Sequence, residues 1–277
     1  MSQPSLFGEE LPDRFGRMEV RHITAKTILT PATGRLGDAY DFSLNPYVGC
    51  GFSCSYCFAT FFVPDEDRAA VWGTWVDVKA NALALMRKTP GICDSKIFMG
   101  SVTDSYQPIE RKTGLSRSLL EYMVGLKPQP RIVIQTRSDL PLRDVDILRR
   151  FEHLRVNVSL TTDDDAVRKK FEPSCLSVER RLEGLRKMKA AGLRTAVCLC
   201  PLLPVKDPER FAQTLTDLKA DFYAVSTFHE THGRFAAGTR PLALQLAEEH
   251  GWTPDAYKET VRRMSRILPF GGAFNPE

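Results

Sequence analysis

The sequence predicts an α/β protein of parallel strand–helix units, and two patterns carry that prediction. Six short apolar runs recur at 41–44, 96–99, 131–136, 155–160, 195–200 and 222–226, each bounded by Gly, Pro or polar residues. Between them lie segments with helical apolar spacing, and strands alternating with helices imply parallel βα units wound right-handed. The first helical pattern opens at Asp67 and carries Ala70, Val78, Ala82, Leu85 and Met86. Ser116 starts a second with Leu119, Leu120, Met123 and Val124, and Asp144 a third with Val145, Leu148 and Phe151. Ser177 caps a fourth with Val178, Leu182, Leu185 and Met188, stopped at Gly192; a fifth follows Pro208 with Phe211, Leu215 and Leu218. Periodicity does not separate a barrel from an open doubly wound sheet. In either architecture the site lies at the C-terminal ends of the strands.

Composition narrows the class. The 277 residues are 43% hydrophobic and 26% charged, ordinary for a globular protein that buries one sizeable core. No run of 18 uncharged apolar residues suggests a membrane span, and the acidic start at Glu9, Glu10 and Asp13 is unlike a secretory signal. Seven cysteines fit a reducing, cytoplasmic setting in which thiols stay free for metal. A net charge of +4 and a pI near 8.7 permit an anionic substrate without marking a nucleic-acid-binding domain. Residues 1–39 read as an N-terminal arm, 40–227 as the catalytic domain and 228–277 as a segment closing its open side and contributing to the substrate site. In that segment His229, Glu230, His232 and Arg234 offer polar contacts, while Arg168-Lys169-Lys170 and Arg180-Arg181 offer charge for phosphates.

The chemistry concentrates in one loop. Asn45-Pro46-Tyr47-Val48-Gly49-Cys50 leads into Cys54 and Cys57, a C-x3-C-x2-C spacing that brings three thiolates to one centre. Thiolates suit iron–sulfur clusters, and three on a [4Fe–4S] cubane leave one iron open to a further ligand. Zinc is the alternative, but zinc ribbons pair two C-x2-C knuckles and the chain has only one. Cys198 and Cys200 lie two apart on the fifth strand and share a face, whereas Cys93 and Cys175 fall in connections.

With Tyr56 just before the last cysteine, this spacing resembles the signature of the radical S-adenosylmethionine (SAM) superfamily. The resemblance implies a partial (β/α)6 TIM barrel with the cysteine loop after its first strand. It also implies a [4Fe–4S] cluster on Cys50, Cys54 and Cys57, with SAM at the open iron cleaved reductively to a 5′-deoxyadenosyl radical that takes hydrogen from substrate. Further segments, in order, are Thr103-Asp104 after strand two, Arg137 after strand three, Ser159 at strand four and Phe171-Glu172-Pro173. Across roughly 45–201 they are similar to the spore photoproduct lyase-like family. On that likeness Thr103, Asp104, Arg137 and Ser159 contact SAM, Tyr56 or Phe58 packs near the adenine, and flavodoxin or ferredoxin supplies the electron. The substrate expected is a nucleoside, a nucleotide or nucleic acid.

One departure matters. The lyase carries a hydrogen-returning cysteine where this chain has Ser101, and an O–H bond is too strong for that role. Cys198 or Cys200 is then the candidate donor, and repair of thymine dimers is not the expected reaction. The rivals are a tailoring enzyme of secondary metabolism that inserts sulfur or rearranges a sugar, using Cys198, Cys200 or Cys93, and a metal-bound nucleic-acid-binding module without turnover.

Overall fold

The computed structural model describes residues 13–229, 236–272 and 274–276. In chain order the strands are β1 (Arg14–Phe15), β2 (Met18–Ile23), β3 (Leu29–Pro31), β4 (Phe42–Leu44), β5 (Tyr47–Val48) and β6 (Trp75–Lys79). There follow β7 (Lys96–Met99), β8 (Arg131–Thr136), β9 (Leu154–Ser159), β10 (Arg194–Leu199) and β11 (Phe222–Val225). The main sheet runs β11-β10-β9-β8-β7-β4-β3, with β4, β7, β8, β9, β10 and β11 parallel and β3 antiparallel at the edge. Because β11 and β3 do not pair, the six parallel strands form a partial barrel of the (β/α)6 kind.

Strand alternation sorts the side chains cleanly. Leu44, Ile97, Met99, Ile132, Ile134, Val156, Val158, Val197 and Leu199 pack outward with helix residues such as Leu119, Met123, Leu185 and Leu215 in one core. The opposite face, the lumen, carries Ser43, Gln135, Asn157, Ser159 and Cys198 toward the top, with Phe98, Val133, Arg155 and Phe222 deeper. A polar inner face on otherwise apolar strands marks a place for a polar ligand.

Three helices start where their N-caps dictate. The Ser177 hydroxyl accepts from Arg180 N–H ahead of Val178–Ala190, Asp207 does the same for Arg210 ahead of Pro208–Asp217, and Thr253 for Ala256 ahead of Pro254–Met264. The predicted helix from Asp67 to Met86 is not one element. It is a short helix Glu66–Ala70, then β6, then a helix Ala82–Lys88. Gly73 breaks it with φ +97°, where a Cβ would collide with Ser53, and Val76 and Val78 pair instead with Val20 and His22 of β2. A second sheet, β1-β2-β6-β5, therefore forms within and beside the expected arm.

The described residues after 236 pack in three places, the helix Pro254–Met264 against Pro208–Asp217 being one of them. The helix Pro241–Glu249 buries Ala243 and Ala247 against the cysteine loop. Residues 274–276 reach the opposite end, where the Asn275 carbonyl accepts from Arg155 at 2.7 Å and Tyr40 at 3.1 Å, and Phe274 lies 6.3 Å from Phe98. Glu230, His232 and Arg234 lie outside the described residues. No helix among the described residues is long and apolar enough to cross a membrane.

Candidate active site

Cys50, Cys54 and Cys57 sit on the loop that follows the two-residue β5, a few residues beyond the C-terminal end of β4, and none of the three is in a disulfide. A dense frame holds the loop. Gly49 takes φ +83°, and any Cβ there would meet the Trp75 carbonyl oxygen at 2.7 Å, so the approach requires glycine. Gln107 clamps both sides: its Oε1 accepts from Gly51 N–H at 2.8 Å and its Nε2 donates to the Gly49 carbonyl at 3.2 Å. Thr103 donates its hydroxyl to the same carbonyl at 2.5 Å. Gln107→Ala leaves these loop groups partly unpaired, and a loss of about 1–3 kcal/mol is expected in thermal or urea denaturation of the metal-free protein.

Burial pushes the Cys50 thiol well up, aided by Asp104 and the neighbouring thiols, and burial with Cys54 pushes Cys57 up to about 11. The Cys54 thiol moves the other way, because the Cys175 thiol hydrogen-bonds to it and outweighs burial. These mutual effects place the three sulfurs in one electrostatic neighbourhood. Among the described residues no three His, Cys, Asp or Glu side chains converge tightly enough for a single metal ion. Thiolate sulfur is the donor that iron–sulfur clusters take. The donor set of free, neighbouring thiols fits an iron–sulfur group.

Asp104 is a structural hub. Its buried carboxylate accepts from Thr136 Oγ1 and Tyr106 N–H at 2.8 Å each and from Arg137 N–H at 2.7 Å. Both Thr103 and Asp104 are thus committed to protein partners, and they position the cysteine loop and the β8 terminus. Ser101 is locked as well, its Oγ 2.5 Å from Ser43 Oγ and receiving a bond from Asn45 at 3.0 Å.

Arg137 leans over the Tyr56 ring, 5.5 Å from its centroid, and donates to the Tyr56 hydroxyl at 3.1 Å, while its Nε is buried without a hydrogen-bond partner. Tyr56 in turn donates to Glu172, which also accepts from Thr161 at 2.9 Å and Arg181 at 2.6 Å and lies 3.7 Å from Arg137. Burial alone would raise the Glu172 pKa, but Arg181 and Arg137 override it and hold the carboxylate below its ordinary value. Arg181, read from sequence with Arg180 as surface charge, is fully buried, whereas Arg180 is exposed beside Asp139. Arg168 is likewise buried and bonded to Asp165, so of that cluster Lys169 and Lys170 alone face solvent.

Ser159 points into the lumen and accepts from Gln135 Nε2 at 2.9 Å, leaving buried Gln135 Oε1 without a partner. Cys198 lies beside Ser159 across the β9–β10 register, and Cys200 follows at the strand end, half-buried. Phe58 opens a 3₁₀ turn, Phe58–Phe62, its ring 5.0 Å from His229. Phe228 packs 6.4 Å from Tyr56 and 6.5 Å from Phe171, roofing the site from the C-terminal side. The sequence reading does not single out Gln107; it offers Arg181 as charge for phosphates and Phe228 only as the start of the closing segment. Gln107 gave no spacing signal, and only Glu172 stood inside a recognisable segment.

A partial barrel with a polar lumen and three free thiols on its first strand-top loop defines a cofactor-dependent barrel enzyme. The sequence profile of the Radical SAM superfamily matches residues 44–218, which is most of the barrel, and the chain belongs to that superfamily. Membership implies an iron–sulfur cluster and SAM as cofactors. An uncharacterized protein of Methanocaldococcus jannaschii is 31% identical over 188 residues, covering 68% of this chain and 69% of that one. An uncharacterized protein of Mycobacterium tuberculosis is 25% identical over 267 residues, covering 92% and 77%. Among solved structures, spore photoproduct lyase complexed with dinucleoside spore photoproduct superposes with a TM-score of 0.60 at 13% identity, covering 90% of this chain and 80% of that one. A mutant of the lyase with bound AdoMet and the same dinucleoside gives 0.59 at 15% identity, with the same coverage. The fold is therefore that of the lyase.

Proposed function

We propose that this radical SAM enzyme abstracts hydrogen from a nucleoside, nucleotide or nucleic-acid-like substrate, with Cys50, Cys54 and Cys57 holding a [4Fe–4S] cluster. The three free thiols framed at the mouth of a polar lumen carry this reading. When bound, the cluster supplies the electron that cleaves SAM to a 5′-deoxyadenosyl radical.

The chain's own residues do the positioning. Arg137, a guanidinium held over the Tyr56 ring beside Glu172, is placed to grip a carboxylate such as that of SAM. Tyr56, braced between Arg137 and Glu172, and Phe58, beside His229, offer ring faces for the adenine. Ser159 and the unpaired Gln135 Oε1 present a donor and an acceptor from the lumen wall, a pairing suited to the edge of a nucleobase. Thr103 and Asp104 act through the loop and the β8 terminus that they hold. That the lyase structures contain a dinucleoside, on a fold shared over 90% of this chain, supports the substrate class.

Ser101 has only an O–H to offer and is bonded to Ser43 and Asn45, so hydrogen return falls to the β10 thiols. Burial raises the Cys198 pKa and pushes Cys200 up to about 11, so both keep their S–H at neutral pH. The test is anaerobic reconstitution with iron and sulfide, followed by dithionite and SAM. 5′-Deoxyadenosine is expected, and its absence from an iron-loaded protein would sink the proposal. With substrate, replacing the donor among Cys198 and Cys200 by Ala should abolish product while SAM cleavage persists; unchanged product clears that thiol of the role.

A further inference from the structure

Cys175 has no part in the proposed reaction, yet its sulfur stands 3.8 Å from that of Cys54, and both side chains are buried. The contact is built by the backbone on either side. Ser55 N–H donates to the Phe171 carbonyl at 2.8 Å, and Cys175 N–H to the Glu172 carbonyl at 3.1 Å. The Arg168 guanidinium fastens the same turn through the carbonyls of Glu172 at 3.2 Å and Cys175 at 3.1 Å. None of these bonds needs a metal, so the two sulfurs stay apposed when the loop is empty. Sulfurs in van der Waals contact are also too close to occupy two corners of one cubane, so Cys175 is no corner ligand while Cys54 is one.

We propose that Cys54 and Cys175 form a redox modification site, oxidised to a disulfide by a peroxide when the loop holds no cluster and reopened by thiol reductants. The Cys54 sulfur attacks one peroxide oxygen, the O–O bond breaks, and sulfenic acid and water result. The Cys175 sulfur then displaces the hydroxyl, forming the S–S bond, and its proton leaves with that hydroxyl as a second water. Two thiols and one hydrogen peroxide give one disulfide and two waters; the sulfurs lose two electrons and the peroxide gains them. Closing the contact to the roughly 2.05 Å of a disulfide takes a short side-chain movement, because the chains are already clipped together. Without a resolving thiol, sulfenic acid goes on to sulfinic and sulfonic acids, which thiols do not reverse. The pair thus keeps a cluster ligand recoverable.

The shielding by a cluster rests on the reading of Cys54 as an iron ligand; the disulfide itself does not. The full chain, isolated without iron, is treated with hydrogen peroxide, alkylated with iodoacetamide and digested without reductant. Peptides bearing Cys54 and Cys175 should emerge joined, with both thiols lost from the alkylated pool and both restored, along with iron uptake, by dithiothreitol. In Cys175→Ser, Cys54 should carry sulfinic or sulfonic acid and iron uptake should not return, whereas Cys93→Ser should leave the link intact. If circular dichroism shows Cys175→Ser misfolded, the wild-type peptide map decides alone. Cys54 joined to Cys50 or Cys57, or Cys175 alkylated equally before and after peroxide, overturns the proposal. A link that forms equally well in iron-loaded protein removes Cys54 from the cluster and leaves the modification site standing.

Discussion

Cys54→Ala is expected to yield colourless, iron-poor protein that forms no 5′-deoxyadenosine. On the proposed ligand assignment the cluster has three protein thiolates; because the Cys175 sulfur lies 3.8 Å from that of Cys54, the double variant Cys54→Ala/Cys175→Ala excludes it as a substitute at that corner. Enzymes accelerate reactions by roughly 10⁶-fold or more, so activity should fall to background. The fold itself should survive, because Gln107, Thr103 and Asp104 hold their segments through bonds that no cysteine side chain makes. Iron analysis, the visible spectrum and product chromatography read the first effect, and far-ultraviolet dichroism the second. A Cys54→Ala protein that still binds a full complement of iron would contradict the ligand assignment.

Glu172→Ala should be the most destabilising single change at the site. Glu172 and Arg181 are both fully buried, and removing the carboxylate strands the Arg181 charge and the Thr161 and Tyr56 hydroxyls. Breaking a buried pair on one side costs about 3–5 kcal/mol, measurable by urea denaturation. Glu172→Gln retains acceptor capacity and should lose less. The pH dependence follows in sign. The Glu172 pKa is depressed in the folded protein, so its contribution is complete above the ordinary carboxylate range and fades as pH falls through the folded value. Wild type should therefore lose stability in acid more steeply than Glu172→Gln. Parallel acid titrations of the two would contradict this account.

The barrel was legible because its parallel strands are apolar runs cut off by Gly, Pro or polar residues. The sequence reading matched 96–99 and 131–136 outright and misplaced β9 and β10 by one residue. β6 was missed for a physical reason: its apolar residues also fit a helical spacing, and its strand character comes from pairing with β2, more than fifty positions earlier. At the site, the cysteine loop showed itself through spacing alone. The support around it did not, because Gln107 and Arg181 look like ordinary polar residues until the fold brings Gly49 to one and Glu172 to the other. Adjacent Arg180 and Arg181 illustrate the limit, one in solvent and one wholly enclosed, with no difference in residue type to tell them apart.

The Arg155 grip on the Asn275 carbonyl, with Phe274 against Phe98, ties residues from the C-terminal segment into the deep lumen. Arg155 and Phe98 therefore owe part of their enclosure to residues 120 and 176 positions further along the chain, so this part of the inner wall is complete only once distant segments have met.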